Sequence, residues 1–241
     1  MTATDPPKAK KSIFKKIYSV IAAIVLLAVI ADAVWVSSGS GQWKLAKDED
    51  GVKVYTMKVP GDKFIKVKTV MVGDYTLTQL TSQHIVDDNL DTCREWIPTC
   101  VTFTRLQEFD PVKGYDKDMW RLDFPAPFKD RELLISTMFS QDKASKVVKL
   151  DVVALPNTLP HNEDVVRVER MHNVWMFAPL PDGKIEVSLI QDNDLLGFFP
   201  YVMMNMVIVD ESHKFFSVDL RKALKKEKYV NAKLDFIDDI R

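Results

Sequence analysis

The chain has 241 residues, of which 46% are hydrophobic and 10% aromatic, enough apolar material for a folded core, so a largely disordered protein is excluded. The formal net charge is -1, but residues 1–16 carry a net charge of +4, which leaves about -4 on the chain from residue 37 onward. An acidic body of this kind lacks the basic face that nucleic-acid phosphates require, and we expect no nucleic-acid partner.

An apolar stretch occupies residues 17–36, and Asp32 is its only charged residue. As a helix it would be about 30 Å long, which matches the hydrocarbon core of a bilayer. Lysines precede the stretch and Trp35 lies near its far end, an order typical of a span with a cytoplasmic N-terminus. We therefore expect a basic cytoplasmic segment over residues 1–16, a single transmembrane segment or signal anchor over 17–36, and an extracytoplasmic C-terminal domain.

A cleaved signal peptide is the alternative, because Ala31, Asp32 and Ala33 form a small-x-small site that a signal peptidase accepts. Cleavage would leave an exported soluble protein, so both readings place the domain outside the cytoplasm. The two cysteines, Cys93 and Cys100, would be free to pair in an oxidising compartment. Their spacing is neither a CxxC nor a metal-ligand pattern, and we expect no metal site and no cofactor.

The rest of the chain predicts one mostly antiparallel domain. We expect a short flexible linker over residues 37–41, the folded domain over residues 42–230 and a C-terminal tail over residues 231–241. Alternation of apolar and polar residues predicts strands, most clearly over residues 64–72. The predicted strands cover residues 52–58, 64–72, 100–107, 118–124, 132–140, 146–154, 165–170, 173–178 and 184–192.

Three helices are predicted between and after these strands. Asp74 is a candidate N-cap for a helix that runs to about His84, and a short helix follows over residues 88–96. The longest helix comes last, from about Pro200 to Lys226, with apolar residues recurring at spacings of three, four and seven.

Three motifs resemble a known family. Residues 43–55 (WKLAKDEDGVKVY) resemble the first two strands of START (steroidogenic acute regulatory protein-related lipid transfer) domains. Residues 123–132 (DFPAPFKDRE) are similar to the family's Pro-rich turn and Asp-Arg-acid signature, and residues 200–205 (PYVMMN) resemble the start of its final helix. The three motifs stand in the family's order within residues 42–230.

The resemblance implies an α+β helix-grip fold, in which a curved antiparallel sheet wraps around a long C-terminal helix and encloses a hydrophobic cavity. START domains are lipid carriers or lipid sensors. The resemblance therefore implies a non-enzymatic monomer that binds a lipid or sterol-like molecule at a membrane, for transfer or for sensing.

Large apolar and charged side chains near the motifs are the candidate ligand-binding residues. Rings and thioethers supply adaptable apolar contact, whereas Arg131 would contact a lipid hydroxyl or headgroup. Ordinary core packing, or an ion pair of Arg131 with an acid, is the alternative for each of them. The candidates are Trp96, Trp120, Arg131, Glu132, Trp175, Phe177, Met203 and Met204.

Four large apolar residues precede the final helix, where the family usually has a Gly-rich turn. We expect them either to form a loop that contacts the membrane or to pack beneath that helix. They are Leu195, Leu196, Phe198 and Phe199.

No hydrolase, metalloprotease or nucleotide-binding motif occurs in the sequence, so a classical enzyme is not expected. The alternative from another class is a helix-grip hydrolase or cyclase that acts on a hydrophobic substrate in the same cavity. His172 is the candidate base for such chemistry.

Overall fold

The computed structural model describes residues 9–85, 89–194 and 201–239. It begins with helix α1 (Ala9–Ser37), which confirms the predicted apolar N-terminal helix. The segment Phe14–Ser37 is long and apolar enough to cross a membrane, and none of it is buried inside the protein. Its exposed apolar surface is what a bilayer or a secretion machinery would contact.

One ten-stranded sheet dominates the domain and has the strand order β1-β2-β3-β10-β9-β7-β6-β5-β4, with β8 paired to β6. Neighbouring strands are antiparallel, apart from the parallel β6 and β8. The strands are β1 (Lys44–Glu49), β2 (Val52–Met57), β3 (Lys66–Gly73), β4 (Cys100–Asp110), β5 (Tyr115–Leu122), β6 (Arg131–Gln141), β7 (Val148–Ala154), β8 (Val166–Arg167), β9 (Arg170–Pro179) and β10 (Ile185–Asp194).

Two short helices lie between β3 and β4: α2 (Leu77–Ile85) and α3 (Leu90–Trp96). The predicted N-cap of α2, Asp74, is wrong. Thr76 Oγ1 accepts a hydrogen bond from Gln79 N at 3.0 Å, and Asp239 Oδ1 accepts one from Leu77 N at 2.6 Å. A carboxylate from the end of the chain therefore satisfies backbone donors that would otherwise lack partners.

The final helical stretch lies where the sequence predicts it. It comprises α4 (Tyr201–Lys214), a π-helical turn (Phe215–Leu220) and α5 (Arg221–Leu224), followed by a short α6 (Glu227–Val230). Phe216, Leu220 and Leu224 are buried in the core under the sheet. The π-helical turn widens the helix locally, so Phe215 and Phe216 both pack inward even though they are consecutive.

The segment after α6, predicted to be a tail, packs on the domain. The Phe236 ring lies 5.3 Å from Phe109 and 5.2 Å from Phe139 between ring centroids. Gln141 Nε2 donates to the Asp238 carbonyl oxygen at 3.0 Å. The folded domain therefore extends to residue 239.

Candidate ligand cavity

A cavity of about 530 Å³ lies between the concave face of the sheet, the helices α2 and α3, and the final helix. Most of its wall is apolar, and aromatic rings form a large part of it. The apolar lining residues are Phe64, Ile65, Val67, Trp96, Ile97, Pro98, Trp120, Ile135, Val152, Met171, Trp175, Leu189, Met204, Ile208 and Phe215.

Strand periodicity explains which side chains reach this space. Side chains two residues apart on one strand share a face, and each stands beside its partner on the next strand. Trp175 of β9 pairs with Leu189 of β10, and Asn173 pairs with Gln191 in the same register. All four line the cavity. The sheet thus grades from aromatic to polar along the cavity wall.

His84 lies in an aromatic cluster on the cavity wall. Its ring centroid is 4.7 Å from those of Trp96 and Trp175, and 5.9 Å from that of Phe177. Burial among these rings disfavours the imidazolium ion and lowers the pKa of His84 to about 3. A neutral imidazole therefore lies in the wall of the cavity. Sequence reasoning missed this residue, although its spacing of four from Leu80 places it on the buried face of α2.

Four buried polar side-chain atoms of the wall have no hydrogen-bond partner among the residues that the structure describes. They are Gln83 Oε1, Trp120 Nε1, Asn173 Oδ1 and Asn193 Oδ1. A buried polar group without a partner costs about 1–3 kcal/mol, so such groups are rare in folded proteins. All four belong to side chains that line the same cavity.

A charged side chain also reaches the cavity wall. Asp118 is only 2% exposed and lines the space, and its Oδ1 lies 2.7 Å from Arg105 Nε on the neighbouring strand. Asp116 lies behind this pair, and burial raises the pKa of its carboxyl group. The guanidinium of Arg105 compensates the buried negative charge, so this end of the cavity is strongly polar.

The structure places half of the candidate ligand-binding residues on the wall. Trp96, Trp120, Trp175 and Met204 line the cavity. Phe177 lies two residues after Trp175 on the same face of β9, and its ring centroid is 6.3 Å from that of Trp175. It is buried behind the cavity wall and does not line the cavity. Met203 does not line the cavity; it is 64% exposed on the outer face of α4.

Arg131 and Glu132 also lie outside the lining. Arg131 is buried, donates to the Lys129 carbonyl oxygen and lies over the Phe124 ring at 4.7 Å, and burial lowers the pKa of its guanidinium. Glu132 accepts hydrogen bonds from Arg167 at 2.9 and 2.5 Å. Arg131 therefore contacts the Pro-rich turn, and Glu132 forms an ion pair with Arg167 at the start of β6.

Two further sequence predictions fall elsewhere. The predicted membrane-contact residues Leu195, Leu196, Phe198 and Phe199 lie outside the described residues. His172 does not line the cavity; its Nε2 lies 3.0 Å from Asp151 Oδ1 on the face of the sheet away from Asn173. Within the described ranges, no group of three or more histidine, cysteine or acidic side chains is arranged to hold a metal ion.

A bacterial protein is similar in sequence to most of this chain. An uncharacterised protein of Pseudomonas aeruginosa is 28% identical over 193 residues, which cover 78% of this chain and 91% of that protein. No family model matches the chain.

Solved structures are similar over most of the domain. A STAR-related lipid transfer protein from Xanthomonas axonopodis superposes with a TM-score of 0.66 and 20% identity, covering 78% of this chain and all of that one. Human STARD10 gives a TM-score of 0.64 and 16% identity over 79% of this chain and 76% of its own. Human StAR-related lipid transfer protein 5 gives a TM-score of 0.59 and 16% identity. The match covers 89% of this chain and 98% of that one. The chain therefore has the helix-grip fold of START domains, as its sequence motifs predicted.

Proposed function

We propose that this protein binds one lipid, or another hydrophobic ligand, in the internal cavity, and that it does so at the surface of a membrane crossed by α1. The observation that carries the proposal is the combination of an aromatic-lined space of about 530 Å³ with four buried polar atoms that lack partners among the described residues. Cavities of roughly 300–1,000 Å³ with a few convergent polar groups are typical of small-molecule sites.

The apolar lining of the cavity argues for an apolar occupant. Water that filled this space would leave the aromatic wall hydrated. A guest that covers the apolar wall gains about 25 cal/mol for each Å² of apolar surface that it buries.

The polar atoms narrow the chemical class of the ligand. Trp120 Nε1 is a donor, whereas Gln83 Oε1 and Asn173 Oδ1 are acceptors, and all three belong to side chains that line the cavity. A pure hydrocarbon would leave them without partners, whereas a lipid with hydroxyl, carbonyl or amide groups would pair with them. We therefore favour a neutral amphipathic lipid whose polar end lies near these side chains.

Two features support an extracytoplasmic site next to a membrane. Helix α1 is exposed along its apolar length, as a span requires. Cys93 and Cys100 form a disulfide with a Cα–Cα distance of 5.9 Å, and such bonds persist in oxidising compartments. The apolar residues 195–199 would add a second membrane contact, and the tether suits ligand sensing or extraction at one bilayer better than long-range carriage.

The test is a lipid analysis of the full-length protein purified in detergent. An organic extract should contain one lipid class at about one molecule per chain, strongly enriched over its share in the host membrane. The matched sample is an unrelated single-span protein purified in the same way. An extract whose composition equals that of the host membrane and of this control would contradict the proposal.

A further inference from the structure

The end of α1 does not lead into a flexible linker but is fixed to the domain. Gly61 N donates to the Val36 carbonyl oxygen at 2.7 Å, and Gly41 N donates to the Lys58 carbonyl oxygen at 3.0 Å. Gly39 has a φ of +117°, and a Cβ at this position would collide with the Lys58 carbonyl oxygen. Residues 37–41, predicted to be flexible, are therefore held against the loop between β2 and β3.

Asp32, the only charge in the apolar stretch, is part of the same junction. Its Oδ1 accepts a hydrogen bond from Tyr201 Oη at 2.8 Å and lies 4.0 Å from Lys63 Nζ. Burial and the adjacent carboxylate raise the pKa of Tyr201, so the phenol remains a donor. A carboxylate that is costly in a membrane span thus gains a hydrogen-bond partner from the first residue of α4.

Trp35 adds a second contact one turn further along α1. Its ring stacks on Tyr201 with centroids 6.4 Å apart, and its Nε1 donates to the Lys63 carbonyl oxygen at 2.8 Å. The same carbonyl oxygen accepts a hydrogen bond from Asn205 Nδ2 at 2.9 Å. One backbone oxygen therefore joins the end of α1, the β2–β3 loop and α4, using both of its lone pairs.

This junction lies directly beside the cavity. The residues that follow Lys63 and Tyr201 in their two segments line it: Phe64 and Ile65 on one side, Met204 and Asn205 on the other. Asn205 Oδ1 also accepts from Ile65 N at 3.1 Å, which ties the two sides together. We call this part of the cavity wall, formed by residues 64–65 and 204–205, the mouth, because the inferred exchange of ligand takes place there.

The first two turns of α4 expose an apolar face next to the mouth. The exposed fractions are 53% for Val202, 64% for Met203, 75% for Met206 and 48% for Val207. Such a face is rare on a protein surrounded only by water and marks a binding surface. Through Tyr201 and Trp35 it adjoins the apolar exposed surface of α1, so one continuous medium, the bilayer, would cover both.

We propose that Asp32 and Trp35 lock the end of α1 to Tyr201 and Lys63, so that the retained anchor holds the mouth and the α4 face on the surface of the bilayer that α1 crosses. Ligand then exchanges between that bilayer and the cavity at the mouth. This inference rests on the proposed function for the role of α1. The contact between Asp32 and Tyr201 also argues against cleavage after Ala33, because cleavage there would separate these two residues.

A depth measurement on the full-length chain tests this arrangement. The two cysteines pair, so a single introduced cysteine can be labelled selectively. Met206→Cys reports the α4 face. Val112→Cys is the control, because Val112 is 94% exposed in the turn between β4 and β5. Each neighbouring pair of strands from β3 across the sheet to β5 is antiparallel. This turn therefore lies at the opposite end of the sheet from the mouth.

Each labelled protein is reconstituted in phosphatidylcholine vesicles that contain a lipid with a nitroxide near its headgroup. We expect the nitroxide to quench the Met206→Cys fluorophore about two-fold and to leave the Val112→Cys fluorophore unchanged, since an interfacial apolar face enters the headgroup region by about 5–10 Å. Equal quenching at both positions would overturn the proposal. So would excimer emission from pyrene on Met206→Cys, which would indicate a second copy of the chain on this face.

Two substitutions of Asp32 separate the lock from the contact itself. Asp32→Asn keeps an oxygen acceptor for Tyr201 and should preserve the quenching of Met206→Cys, whereas Asp32→Ala removes it and should lower the quenching towards that of Val112→Cys. Unchanged quenching in Asp32→Ala would overturn the lock. Quenching needs no bound lipid, so a cavity found empty with quenching preserved would contradict the proposed function alone.

Discussion

Glu132 Oε1 lies 2.9 Å from Nε and 2.5 Å from Nη2 of Arg167, and both residues are only 7% exposed. The pair joins β6 to β8. The Arg167 guanidinium also donates to the carbonyl oxygens of Pro156, Leu159 and Pro160 at 2.6–3.0 Å, so it orders the loop that precedes β8. The acid of the Asp-Arg-acid motif is thus a structural group, placed away from the cavity wall.

Replacing Glu132 should therefore affect stability more than ligand content. Glu132→Leu leaves a buried guanidinium without its counter-ion, and we expect it to lower the free energy of unfolding by about 3–5 kcal/mol. Glu132→Gln keeps a hydrogen-bond acceptor and should cost less. Urea unfolding followed by circular dichroism measures the difference. A Glu132→Leu protein that is as stable as the parent but has lost its co-purified lipid would contradict this assignment.

The pH dependence of stability should report His84. Its pKa is about 3 in the folded protein and near 6.5 in the unfolded chain, so the unfolded state binds more protons between these values. Stability should be fully present above pH 6.5 and should fall as the pH drops towards 3, by up to about 1.4 kcal/mol per pH unit from this residue. Melting temperatures between pH 7 and pH 4 measure the effect.

His84→Phe is the matched variant, since a neutral ring remains in the aromatic cluster. Its melting temperature should vary less with pH than that of the parent over the same range, because the other titrating groups, Asp116 among them, are common to both proteins. If the melting temperatures of the parent and of His84→Phe changed equally with pH, the pKa of His84 would be the same in the folded and the unfolded state, which would contradict the prediction.

The disulfide should stabilise the wall of the cavity. The loop that it closes contains Glu95, Trp96, Ile97 and Pro98, all of which line the cavity. Closing so short a loop is worth about 2–3 kcal/mol in the chain-entropy account. Cys93→Ser should lower the free energy of unfolding by that amount, and a reductant should not lower the stability of this variant further. An equal free energy of unfolding of the parent protein with and without reductant would contradict the prediction.

Asn173 offers a test of ligand polarity. Asn173→Leu removes a buried acceptor that has no partner among the described residues, so the ligand-free protein should be as stable as the parent or more so. Its affinity for a hydroxylated lipid should fall by about 1–3 kcal/mol, or roughly 5- to 150-fold. Val174→Leu, one residue along β9 on the opposite face, is the control. Unchanged lipid affinity in Asn173→Leu would contradict a polar contact at this position.

Local patterns were enough to predict most of the fold. Alternation located the long strands, and the spacing of apolar residues located the final helix. The local cap of α2 is Thr76, two residues after the predicted Asp74, whereas the second acceptor, Asp239, is 162 residues away from Leu77 and no local rule reports such a pairing. The cavity was predicted from family motifs, yet Trp175 and Phe177 share one strand face and only the first lines the space. Whether a side chain on that face reaches the cavity depends on how the helices pack against the strand, and the alternation of apolar and polar residues does not encode this packing.

The polar part of the site was also beyond a reading of single segments. Arg105 and Asp118 meet only because β4 and β5 pair in a register interrupted by two bulges around Arg105 and Gln107. Register of this kind is set by tertiary packing as well as by the local pattern. The sequence placed His84 only at the end of a predicted helix, and its position in the cavity wall became visible only with the rings of Trp96 and Trp175 around it.

Native mass measurement of variants with a filled cavity tests the central claim most directly. Ile208→Trp adds bulk on the cavity wall, whereas Val218→Trp adds the same ring at a 53% exposed position of the final helical stretch. The parent chain and Val218→Trp should each carry one lipid that survives removal of detergent, and Ile208→Trp should be found without it while remaining folded. Equal lipid retention by all three would contradict a ligand inside the cavity.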